Sequence, residues 1–159
     1  MLKRIVIGLF ASIFCGPAFA ECYKADIGTC GIEASMLEAT NAFRARNGLP
    51  PLQYKRELAW AARKWSDRMA ETGQVGHDGF PTWRNQVILL EFPNSKMQAH
   101  GENVAYFRGH KPPDFGRFFV DLWIGSPGHR ENILRNFRFV GMGYGRNNGG
   151  HFGTQLFAW

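Results

Sequence analysis

The sequence predicts an α+β protein with helices and sheet arranged in layers, on three observations. Apolar residues repeat at helical spacing through the first half of the chain and again near residues 115–123. Towards the C-terminus the period changes to two: Phe139, Gly141, Gly143 and Gly145 alternate with Val140, Met142 and Tyr144. A turn-forming Asn147-Asn-Gly-Gly150 follows, and residues 152–158 then read as a return strand, which makes this end a β-hairpin.

The helices have individual signals. Ser35-Met-Leu-Glu38 matches a capping box, so a first helix is expected to start there, with Met36, Leu37, Ala39 and Phe43 on one face. Asn47-Gly48 and Pro50-Pro51 stop it. A second helix is expected from Glu57 to Thr72, with Leu58, Ala61, Ala62, Trp65 and Met69 as its apolar face and Gly73 as its end. Residues 73–101 read as loop-rich, and the apolar run Val87 to Leu90 fits strand or helix equally. Pro112-Pro113-Asp114 starts a third helix carrying Phe115, Phe118, Phe119, Leu122 and Trp123. Pro127 opens another helical turn. Trp60, Trp65, Trp123 and the Phe cluster are expected in the core, whereas Phe80 and Trp83 are expected on a rim that touches ligand.

The N-terminus is organised differently. Lys3 and Arg4 precede an apolar run from Ile5 to Phe14, and Ala18-Phe19-Ala20 forms a small-x-small cleavage site. The run is too short for the roughly 20 residues a membrane-spanning helix needs. A cleavable signal peptide over 1–20 is therefore preferred to an uncleaved anchor. Cys15 follows a bulky Phe14 and reads as a passenger in that segment. The mature chain would begin at Glu21, with an N-terminal segment over 21–34 and a single domain over 35–159. Its 17 basic and 13 acidic residues leave a net +4. That excess suits weak attraction to anionic polymers, and without a basic stripe it argues against nucleic acid. Cys22 and Cys30 remain. In an oxidising compartment a disulfide between them is preferred to a zinc site, for which two thiols are too few ligands.

Five histidines are candidates for chemistry. His77 sits in a small-residue turn, Val75-Gly-His-Asp-Gly79, and His129 in Ser126-Pro-Gly-His-Arg-Glu-Asn-Ile133. Between them Gly101-Glu-Asn-Val104 supplies a carboxylate, Glu102. Two imidazoles and a carboxylate are compatible with a divalent metal site, with an acid/base pair, or with ordinary surface and capping roles. Ser126 and His129 lie three apart and could meet on one helical turn. Asn103 is expected to satisfy loop backbone groups, and Arg130 to pair with a carboxylate or cap a helix end. Glycines 141, 143 and 145 are expected to permit close packing of sheet on helix.

These segments, in this order, resemble the CAP superfamily (cysteine-rich secretory proteins, antigen 5 and pathogenesis-related 1), in its bacterial SCP-like branch. The resemblance runs from Asn41-x-x-Arg44-x-x-x-Gly48-Leu49-x-x-Leu52 through Leu58-Ala59-x-x-Ala62 and Trp65, Gly76-His77 and Gly101-Glu-Asn-Val-Ala105. It continues through Trp123-x-x-Ser126-Pro-Gly-His129-Arg130-x-Asn132-Ile-Leu134 and Phe137-x-x-Val140-Gly141-x-Gly143 to Thr154-Gln155-x-Phe157. It implies a three-layer α-β-α sandwich and a cleft in which His77, Glu102 and His129 are three of four metal-binding positions. Ser126 stands where relatives carry the second Glu. Zinc or another divalent cation on three ligands is the implied cofactor. The resemblance also implies a secreted or periplasmic monomer that binds a lipid, sterol or envelope component. A hydrolase built on the cleft and an extracellular protein-interaction factor are the alternatives, with catalysis ranked last.

Overall fold

The structure is a computed structural model describing residues 22–109 and 112–159. The expected signal peptide and its cleavage point at Ala20 and Glu21 lie outside the described residues. Five helices and four strands follow in the order α1 (Ile27–Arg46), β1 (Gln53–Tyr54), α2 (Arg56–Thr72), α3 (Thr82–Glu91), β2 (Gly101–Arg108), α4 (Phe115–Gly125), α5 (Pro127–Leu134), β3 (Phe139–Arg146) and β4 (Gly150–Ala158). The sheet order is β1-β3-β4-β2, with β1 parallel to β3 and the other pairs antiparallel. Helix α2 packs on one face, supported by α3; α1, α4 and α5 pack on the other. The three-layer α-β-α architecture is thus as the sequence implies.

The two-residue period of β3 accounts for both interfaces. Val140, Met142 and Tyr144 enter the core with Met36 of α1 and Phe119 and Trp123 of α4. The alternating glycines face α2. A Cβ on Gly141 would lie 2.1 Å from the Ala59 nitrogen, and one on Gly143 2.2 Å from the Ala62 carbonyl carbon. On that side Leu58, Ala61 and Ala62 pack against Ile88 and Leu156, and the Ser66 and Thr154 hydroxyls meet at 2.8 Å.

Helix α1 begins eight residues before the expected capping box. Asp26 is the cap: its Oδ1 accepts from the Gly28 and Thr29 N–H groups at 3.0 and 3.1 Å. Ser35 therefore lies mid-helix, where its hydroxyl donates to Asp114 at 2.6 Å, and the expected segment boundary at 34/35 falls inside α1. The Cys22–Cys30 disulfide ties the preceding strand of chain to the first turn. There Tyr23 packs edge-on to Trp60 and against Phe92 and donates to Glu91. At the other end of α1 the motif residues carry backbone bonds. Buried Arg44 donates to the carbonyls of Pro50, Ile133 and Arg135, Asn41 makes two bonds to Leu52, and Gly48 takes a φ of 72°.

The ambiguous run at 87–90 is helical. In α3 only Arg84 and Ile88 are buried, four residues apart, so this helix has one anchor pair rather than an apolar face.

Candidate functional site

His77, Glu102 and His129 come from three elements and converge beside β2. The turn carrying His77 follows α2, whose end at Gly73 is left-handed (φ 71°). Trp65 pins that turn by donating its indole N–H to the Gly76 carbonyl at 3.0 Å. The His77 Nδ1 lies 2.8 Å from Glu102 Oε1. Because an ionised carboxylate only accepts, Nδ1 is assigned the proton, which in the neutral ring leaves the lone pair on Nε2. The His77 side chain is half exposed, whereas that of Glu102 is 1% exposed.

The partner that holds Glu102 is Arg84. Its Nε donates to Oε2 at 2.6 Å and its Nη2 to Oε1 at 2.9 Å. Nη1 donates to the Asp78 carbonyl at 2.8 Å, at the turn next to His77. The guanidinium lies over the Trp65 ring, 3.3 Å from its centroid. Burial lowers the Arg84 pKa from its ordinary value, with Glu102 acting in the opposite sense. Removing one partner of such a buried pair costs about 3–5 kcal/mol. Sequence reasoning missed Arg84. A fully buried Arg is rare, and no local pattern in the sequence marks this one.

His129 enters from α5, with its ring centroid 6.3 Å from that of His77. Burial, and then the neighbouring His77, lower its pKa from the ordinary imidazole value. Asn103 positions α5 from the strand: its side-chain N–H donates to the His129 carbonyl and to Gln155 Oε1, both at 3.0 Å. Asn132 of α5 returns two bonds, to the Glu102 carbonyl and the Asn103 Oδ1. The expectation that Asn103 serves a loop is corrected: it lies within β2, and the backbone it satisfies belongs to a helix. Arg130 does cap a helix end, donating to Ile124 O of α4 at 3.3 Å.

Ser126 sits at the junction of α4 and α5 and serves both through its backbone. Among the described residues no hydrogen bond joins its hydroxyl to the His129 ring. Glu131 is exposed and pairs with Arg135 at 2.9 Å.

As folded, the carboxylate of this set is not open to a divalent cation. Both Glu102 oxygens already accept from Arg84, and Oε1 accepts from His77 as well, so a metal there would stand against a guanidinium. Among the described residues no three His, Cys, Asp or Glu side chains are grouped to hold one.

Beside this cleft an open groove of about 590 Å³ runs between α2 and α3. Trp60, Trp83, Val87 and Leu90 give it apolar walls, and Lys64, Asp67, Arg68, Glu71 and Glu91 bring charge. Trp60 is thus a groove residue rather than a core one. Of the expected rim pair, Trp83 lines the groove, while Phe80 packs against the Leu58–Ile88 cluster. Among the described residues no helix is long and apolar enough to cross a membrane.

Comparison with known proteins adds the following. The model of the cysteine-rich secretory protein family, CAP, matches residues 37–158. The uncharacterised protein YkwD of Bacillus subtilis is 35% identical over 126 residues, 79% of this chain and 46% of YkwD. The uncharacterised membrane protein YlbC of the same organism is 29% identical over 115 residues, 72% of this chain and 32% of YlbC. The chain therefore spans less than half the length of these curated relatives. Among solved structures, an extracellular SCP-domain protein from Bacillus anthracis superposes with a TM-score of 0.57 at 22% identity, covering 80% of this chain and 41% of that one. An outer surface protein from Borrelia burgdorferi gives 0.58 at 17%, covering 77% and 87%. A cysteine-rich secretory protein from Staphylococcus aureus gives 0.53 at 18%, covering 83% and 40%. At these identities the structures speak for the fold alone.

Proposed function

The chain belongs to the cysteine-rich secretory protein (CAP) family, and from that premise we propose that it acts outside the cytoplasm, secreted or periplasmic, as a monomeric, non-catalytic binding module for a lipid or other envelope amphiphile. The groove between α2 and α3 carries this reading. Trp60, Trp83, Val87 and Leu90 offer an apolar bed, with Leu90 83% exposed. Lys64 lies 4.5 Å over the Trp60 ring and Arg68 5.7 Å over Trp83. An apolar chain laid on the rings would bring the anionic part of a headgroup to these two cations, with its hydroxyl or cationic part left to Asp67, Glu71 and Glu91.

Hydrolysis has less support. A Ser–His mechanism needs the base within hydrogen-bond reach of the nucleophile, and among the described residues Ser126 is bonded through its backbone and not to the His129 ring.

The test is organic extraction of protein purified without detergent, followed by mass spectrometry, together with tryptophan-fluorescence titration against vesicles containing anionic lipid. A bound amphiphile and saturable quenching are expected, both reduced in Trp83→Ala. An empty extract with no quenching would overturn the reading.

A further inference from the structure

We propose that Arg84 is the resident cation of the cleft: it takes the place on Glu102 that a divalent metal would need, and the site positions His77 without one. The inference stands on the cleft alone and is independent of what the groove binds.

The geometry is that of a filled coordination position. Two of the three guanidinium nitrogens of Arg84 donate to the two oxygens of Glu102, and the third donates to the Asp78 carbonyl. Such a fork neutralises the carboxylate and fixes its plane, which a single metal ion on the carboxylate would also do. The side chain is 0% exposed and lies on Trp65, so it is not a surface cation swinging past. Glu102, oriented in this way, presents Oε1 to His77 Nδ1. That contact selects the His77 tautomer whose Nε2 is the acceptor. Arg84 is accordingly a positioning residue: it acts on His77 through Glu102.

Two consequences follow that a merely structural arginine would not produce. The wild-type chain should bind no divalent metal through the cleft. Removing the guanidinium should free Glu102 to turn towards His77 and His129, which as folded are not grouped with it to hold a metal, and so complete a three-ligand site. The experiment titrates Co²⁺ and Zn²⁺ into the full chain, its Arg84→Gln and Arg84→Met variants, and an Arg84→Gln/His129→Ala double variant. Circular dichroism serves as the control for folding. In wild type, no cobalt ligand-field bands and no shift of the His77 and His129 ring resonances are expected. Either folded single variant should bind Zn²⁺ about tenfold or more tighter than wild type, and the double variant should lose that gain. The ¹⁵N shifts of His77 should report the Nδ1-protonated form in wild type and a tautomer mixture in the variants. Metal binding by wild type at His77 and His129, or folded variants that gain no metal affinity, would overturn the proposal. If neither variant folds, the wild-type cobalt titration decides: bands overturn it and their absence supports it.

Discussion

The carboxylate of Asp114 accepts from the Arg117 N–H at 3.0 Å and from the Ser35 hydroxyl at 2.6 Å, so one side chain both caps α4 and ties it to α1. Partial burial pushes its pKa up, but the bonds from Ser35 and from the Arg117 and Gly116 N–H groups outweigh this and hold it below the ordinary aspartate value. A carboxylate with a lowered folded pKa stabilises above its unfolded pKa and loses that contribution as pH falls through the folded value. Asp114→Ala is therefore expected to cost about 1 kcal/mol at neutral pH, with the difference from wild type shrinking below about pH 4. Denaturant melts across pH would check it; a difference independent of pH would be against it. At this scale part of the cleft was legible: His77 meets Glu102 at 2.8 Å, and its ring lies 6.3 Å from that of His129. Arg84 was not legible, because nothing in a local pattern signals that a charge will be fully desolvated. Its partner carboxylate lies eighteen residues away on another element.

Helix α2 lies so close to β3 that glycine is the residue the strand can carry on that side. A Cβ on Gly143 would approach the Ala62 carbonyl carbon and the Arg63 nitrogen to 2.2 Å, which backbone cannot yield without separating helix from sheet. Gly143→Ala is expected to cost at least about 3 kcal/mol, the upper end for overpacking, as a lowered denaturation midpoint. Gly125→Ala, where an added Cβ meets nothing within 4 Å, is the control. This interface was readable in advance, because strict alternation from Val140 to Gly145 admits one face of glycines and one of larger side chains. The start of α1 was not. Two capping signals compete there, and Asp26 wins with two free N–H groups to receive, while Ser35 is consumed by a contact from Asp114 that is remote in sequence. Helix α3 was unreadable for a different reason: its periodicity rests on Arg84 and Ile88, one of which no hydropathy pattern counts as buried.

Across the whole molecule, the N-terminal arm is held to the domain by the Cys22–Cys30 bond, by Tyr23 against Trp60 and Phe92, and by Arg63. Arg63 donates to the Tyr23 carbonyl while pairing with buried Glu33. Closing so short a loop is worth about 2–3 kcal/mol. Dithiothreitol is expected to lower the melting temperature without abolishing folding, since the main cores lie elsewhere. An unchanged melting temperature would mean that the bridge carries no stability.

The bonds that fasten helices to this sheet also decide how a protein partner can be met. Asn132 already donates to the outward Glu102 carbonyl of β2. On the opposite margin β1 is two residues long, and beyond it the Tyr144 N–H is taken by the Glu33 carboxylate at 3.2 Å. An extended peptide pairing beside Glu102 would compete with Asn132 of α5, and one beside Tyr144 would compete with the Glu33 carboxylate that pairs with Arg63. Strand addition is therefore disfavoured at these two points of the margins.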